Sequence, residues 1–198
     1  MTGTRKRLTQ RVVLACLAGC AALWAMRTEM VEGNASGQVR VVIYEDLQCG
    51  DCESLRVMLD NRILARYGSR VAFVHRDFPL GKHDWARQAA VAARWVYQQD
   101  PGLGITFRRE ILAEHDHIKL ATLKPWLQEF ADRNHLDRKG IVDSLTDSRL
   151  ISMVDQDIQA GLVKGVTRTP TVYVGGEALV ETVIYDDLAR LLDHELGH

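Results

Sequence analysis

Cysteine is scarce in this chain: four occur in 198 residues, at positions 16, 20, 49 and 52, and the first two lie in an N-terminal segment that reads separately from the rest. The two that remain, Cys49 and Cys52, are too few for a disulfide framework. Taken as a metal knuckle they are half of a structural zinc site with no second cysteine pair to complete it. An excess of positive charge is also missing. The formal net charge is -1, and Arg5, Lys6, Arg7 and Arg11 all precede Cys20, which leaves 21 basic against 26 acidic residues, a balance of -5. That balance argues against nucleic acid as a partner. Internal repeats and low-complexity stretches are absent, so a solenoid is excluded.

Long apolar runs are confined to one place. "RKRLTQR" is followed by "VVLACLAGCAALWAM", about fifteen apolar or small residues without a charge, and the pattern over residues 1–26 is that of a signal peptide or membrane anchor. The run is long for a signal-peptide core and short of the ~20 residues of a spanning helix. Within it, "LAGC" ending at Cys20 is similar to a bacterial lipobox, which makes Cys20 a candidate for lipidation; a signal anchor and ordinary cleavage are the alternatives. The basic flank keeps the N-terminus cytoplasmic, so the globular part faces an oxidising, extracytoplasmic compartment. Residues 27–38, "RTEMVEGNASGQ", are small and polar and read as a tether.

What remains, 39–198, has the length and the 46% hydrophobic content for one sizeable core with an inserted subdomain. "VRVVIY" (39–44) is a strand buried on both faces. Leu55, Met58, Leu59, Ile63 and Leu64 follow at helical spacing until Tyr67-Gly68, and "RVAFVHRDF" (70–78) is a second strand ending at Pro79. Strand, helix and strand with short links make a βαβ unit. From about 83 to 165 the pattern is helical, with a break at "DPGLG" (100–104) and with Asp137 and Asp147 placed as N-caps. Eighty helical residues are too many for one crossover, so this block is a helical subdomain inserted into an α/β domain. Trp85, Trp95 and Trp126 fall at core spacing, and His83 caps or packs at a helix start. "TPTVYVGGEALVE" (169–181) returns to strand, with Gly175-Gly176 as the turn of a hairpin. An amphipathic helix closes the chain.

The chemistry concentrates at "CGDC" (49–52), where a buried strand gives way to a helix. A thiol exchanges with a disulfide only as thiolate, and the unpaired amides and dipole of a helix N-terminus favour that anion. Cys49 is placed to be the nucleophile. Cys52, one turn on and more shielded, is placed to resolve a mixed disulfide. His115 and His117 lie in a loop, and nothing in the sequence brings them near Cys49.

Three stretches in order, "VVIYEDLQCGDC", "VAFVHRDFPL" with a following His83 and alanine-rich helix, and "GVTRTPTVYVGG", resemble the DsbA-like branch of the thioredoxin superfamily over residues 39–195. The resemblance implies a thioredoxin-like fold with an inserted helical subdomain and thiol-disulfide exchange as the activity. It implies that Thr169 and Pro170, joined by a cis bond, lie beside the sulfurs and pair with a substrate chain. No cofactor is needed, since the cysteine pair carries the electrons. The partners implied are unfolded or partly folded exported polypeptides and a membrane redox partner. Two departures bear on mechanism. Many relatives carry a buried acid six positions before the first cysteine, where this chain has Ile43, so proton transfer to Cys52 is left to Glu45, to water or to no specific group. Asp51 lies between the cysteines, where its carboxylate is expected to raise the Cys49 pKa and weaken the protein as an oxidant; Arg168, should it reach the sulfur, opposes this. Two other readings stay open: a thiol-independent chaperone or peptide-binding module, and a metal-handling protein using Cys49 and Cys52.

Overall fold

A computed structural model describes residues 29–197. The leader and Cys20 lie outside the described residues. Five strands form one sheet in the order β1-β3-β2-β4-β5. Its centre is the parallel pair β2 (Val39–Glu45) and β3 (Val71–Asp77), and the other pairings are antiparallel. The helix α1 (Gly50–Met58) connects β2 to β3, continuing through a π-helical segment (Leu59–Ile63) into a last turn (Leu64–Tyr67). The βαβ unit expected from the apolar pattern is therefore present. The hairpin of β4 (Thr171–Val174) and β5 (Glu177–Val180) turns at Gly175 and Gly176, both at positive φ, where glycine carries no Cβ penalty.

The helical block sits between β3 and β4. It comprises α2 (Ala86–Gln99), α3 (Pro101–Ala113), α4 (Leu120–Arg133), α5 (Arg138–Asp143) with a 3-10 turn after it (Ser144–Thr146), and α6 (Ser148–Val163). Asp137 and Asp147 cap α5 and α6, accepting from the amides of Lys139 and of Arg149 and Leu150. The "DPGLG" break is shorter than its composition suggests. Asp100 ends α2 and caps α3, accepting from the Leu103 amide, and Pro101 occupies the first helical turn, where its missing N–H costs nothing. Gly104 lies inside α3 because a Cβ there would come within 2.6 Å of Tyr97 on α2.

Two apolar layers flank the sheet. Val39, Val41, Ile43, Val172 and Val174 pack against α1 and the C-terminal helix α7 (Tyr185–Glu195). The helical block has its own core, built on Trp85, Phe107, Trp126 and Phe130, and both Cys49 and Cys52 belong to it. Trp95 packs at its edge.

The tether expected over residues 27–38 is corrected by the fold. Met30–Gly33 forms β1, paired antiparallel with β3, and Met30 is fully buried. Its isolated Met and Val give no periodicity of their own, and only the exposed edge of β3 makes this polar stretch a strand.

Candidate active site

Cys49 is the N-cap residue of α1 and Cys52 lies in its first turn. The loop before them is set by Asp46. That buried carboxylate accepts from the amides of Gln48 (2.7 Å) and Leu80 (2.6 Å) and from Nδ1 of His83 (2.8 Å), while the Asp46 amide donates to the sulfur of Cys52 (3.4 Å). One residue thus ties the strand end, the turn after β3 and the second cysteine together, and gives His83 its role. Opposite the cysteines, the Thr169–Pro170 peptide is cis, and the thiol of Cys49 donates to the Thr169 carbonyl (3.4 Å). Thr169 is buried, and its hydroxyl has no partner among the described residues, which leaves it able to donate to an ionised sulfur.

Both cysteines are free thiols, and their environments differ. Cys49 is 7% exposed and Cys52 not at all. A hydrogen bond from the Cys52 thiol lowers the Cys49 pKa to about 5; burial opposes this, and the Cys52 amide, the Thr169 side chain and the Asp51 amide assist it. Burial pushes Cys52 well above the ordinary thiol value, reinforced by the neighbouring Cys49 and by the carboxylate of Glu45.

The other residues singled out in the sequence are placed less as expected. Asp51 is exposed, and what reaches Cys49 from it is a backbone amide that favours the thiolate. Arg168 is exposed and pairs with Glu181 (2.5 Å), whose own amide donates to the carbonyl of Pro170 (2.8 Å). Arg168 therefore braces the cis-proline loop from outside. Glu45 is buried beside the helical block, with Nε of Arg108 at 3.0 Å and Nδ1 of His75 at 2.5 Å. His115, read as remote, is brought to the motif by the α3–α4 loop: its Nε2 would lie 3.5 Å from a Cβ on Gly50, and its Nδ1 is 3.7 Å from Glu53. Loop length alone gave no sign of this. Among the described residues, no group of three or more His, Cys, Asp or Glu side chains is arranged to hold a metal ion.

The family model described as Thioredoxin matches residues 25–194. The chain belongs to the thioredoxin family. Among solved structures, this thioredoxin-family chain is similar to BdbD from Bacillus subtilis in its oxidised form (TM-score 0.77, 21% identity, 87% of this chain and 95% of that one). It is also similar to the thiol-disulfide exchange protein alpha-DsbA2 from Wolbachia pipientis (TM-score 0.71, 20% identity, 83% and 85%) and to the catalytic domain of Proteus mirabilis ScsC (TM-score 0.72, 18% identity, 87% and 91%). At these identities the likeness shows a shared fold, thioredoxin-like with the helical insertion. A curated relative, the Na(+)/H(+) antiporter NhaA 3 of Salinispora tropica, is 31% identical over 147 residues, which are 74% of this chain and 21% of that protein. The chain spans about a fifth of the length of that relative.

Proposed function

We propose that the protein is an exported thiol-disulfide oxidoreductase that exchanges disulfides with polypeptide chains and works in the oxidising direction. The observation that carries this reading is the asymmetry of the pair: a Cys49 sulfur at a helix N-terminus, facing Thr169, and a Cys52 sulfur wholly enclosed behind it. A substrate thiolate attacks Cys49 of the Cys49–Cys52 disulfide, forming a mixed disulfide and expelling Cys52, which takes up a proton. A second substrate thiolate attacks the substrate sulfur of that mixed disulfide. The substrate leaves with a new disulfide, two electrons stay on the pair, and Cys49 departs as thiolate. The stabilised Cys49 anion lowers the energy of the reduced protein, which makes the disulfide a stronger oxidant. The Cys49 pKa thus moves opposite to the rise expected from the Asp51 carboxylate.

Thr169 and Pro170 are the residues proposed to pair with the substrate backbone, and the cysteine pair serves without a cofactor. A membrane redox partner would accept the two electrons. Export and tethering rest on the leader and on Cys20. The test is trapping: Cys52→Ser, its Cys49 first converted to the mixed disulfide with glutathione, should release glutathione to reduced, unfolded polypeptides and accumulate mixed disulfides with them through Cys49, and Cys49→Ser treated likewise should form none. Adducts through Cys52 in Cys49→Ser would reverse the assignment.

A further inference from the structure

Three strands, α1 and the insertion contribute a cluster of charges centred on the buried His75 and Glu45. His75, on β3, is 1% exposed, with Met30 and Ile43 as its apolar register neighbours. Its Nδ1 lies 2.5 Å from Glu45 on β2, and its Nε2 lies 3.2 Å from Glu32 on β1. A neutral imidazole has one N–H and can donate to one of these carboxylates. Both contacts are made only by the cation. Arg108 from α3 holds Glu45 from the other side through Nε (3.0 Å) and pairs with Asp77 (2.7 Å), while Arg56 of α1 and Arg109 of α3 hold Glu32 at 2.7 and 3.2 Å. Glu45 is the carboxylate whose field reaches Cys52, and the amide of the next residue, Asp46, touches that sulfur.

Resting on the exchange reading above, we propose that His75 is a positioning residue for the resolving step, its positive charge offsetting Glu45 so that the enclosed Cys52 can ionise. In that step the Cys52 thiol loses its proton, and its thiolate attacks Cys49 of a Cys49–S–S–R adduct. The Cys49–Cys52 bond forms, the Cys49–R bond breaks, and RS⁻ leaves to be protonated. The disulfide pair is thereby regenerated. Without the imidazolium, Glu45 stays ionised through Arg108 but is compensated by one cation fewer, and a second anion at Cys52 is disfavoured. Burial and the two carboxylates pull the His75 pKa in opposite directions, and the upward pull prevails, consistent with the cation that the two contacts require.

The experiment mixes reduced protein with oxidised glutathione, quenches with acid at timed intervals, and separates adduct from intramolecular disulfide by mass. In His75→Gln, conversion of the Cys49–glutathione adduct should slow on the order of tenfold, the effect of one nearby charge in a partly screened interior, while adduct formation changes much less. Adding Glu45→Gln to His75→Gln restores the charge balance and should recover most of the lost rate. A purely structural role would make the double variant slower still, and that outcome, or an unchanged rate in His75→Gln, overturns the proposal. Wild-type protein supplies a measurement that survives a folding failure of the variants. Its log rate of conversion should rise with pH, flatten as His75 loses its proton, and rise again; an unbroken rise with unit slope up to the Cys52 titration contradicts the proposal. If wild-type protein forms no Cys49–glutathione adduct, the exchange reading itself fails, and this inference with it.

Discussion

At the scale of the residue, a hydrogen bond from the Cys52 thiol contributes most to the lowered Cys49 pKa, ahead of the Cys52 and Asp51 amides. Alkylation of reduced protein should therefore titrate with a midpoint near pH 5 and report Cys49. Cys52→Ala should move that midpoint upward by more than Cys52→Ser, which keeps a donor. Thiolate absorbance against pH in the two variants checks this, and equal shifts would mean that the hydrogen bond is not what lowers the Cys49 pKa. Asp51→Asn should shift the midpoint by no more than about half a pH unit, since an exposed carboxylate is screened by solvent. Cys49, Cys52 and the Thr169–Pro170 loop were legible in the sequence because thiol chemistry and a three-part resemblance mark them. The Asp51 expectation went astray because sequence adjacency says nothing of side-chain direction on the first turn of a helix. His115 was hidden for the complementary reason: only packing brings it to Gly50.

At the scale of the element, apolar periodicity was enough for the βαβ unit, the caps at Asp137 and Asp147 and the limits of the helical block. It was blind to β1 and to the ion pairs that fasten the block to the sheet. Arg94 on α2 and Arg108 on α3 both reach Asp77 at the end of β3, and Arg94 also pairs with Asp157 of α6. On a helical pattern such arginines read as solvated charges, yet both are almost wholly enclosed. Burial alone would raise the Asp77 pKa, but the two guanidinium groups hold it low. Removing one partner of a buried pair strands the other, at a cost of roughly 3–5 kcal/mol. Asp77→Ala should lose stability of that order in urea unfolding. Arg133→Ala, which breaks the exposed pair with Glu110, should lose less than about 1 kcal/mol. Similar losses would show that the buried pairs do not anchor the insertion.

At the scale of the whole molecule, the same charges set a pH profile. Glu32 and Glu45 are opposed by burial, but His75 with Arg56, and Arg108 with His75, draw them down to about 2. Their stabilisation is present above the unfolded carboxylate pKa of about 4.3 and is lost as pH falls toward 2. His75 is displaced the other way, so its contribution is full below about pH 6.5 and is lost as pH rises through its folded value. Thermal unfolding of oxidised protein should therefore show both an acid loss and an alkaline loss, the latter absent in His75→Gln. The reduced protein carries one more term: the Cys49 thiolate adds stability above pH 5, increasing up to the unfolded thiol pKa of about 8.5. The gap between reduced and oxidised protein should widen in favour of the reduced form across that window, and a constant gap would argue against a stabilised thiolate.

The proposed oxidising direction rests on this thiolate, so its most direct test is the equilibrium of the Cys49–Cys52 pair with defined glutathione mixtures at pH 7. A reduction potential less negative than about -200 mV, toward the strong oxidants of this chemistry, is expected, whereas a value near the -270 mV or so of thioredoxin would contradict the oxidising role.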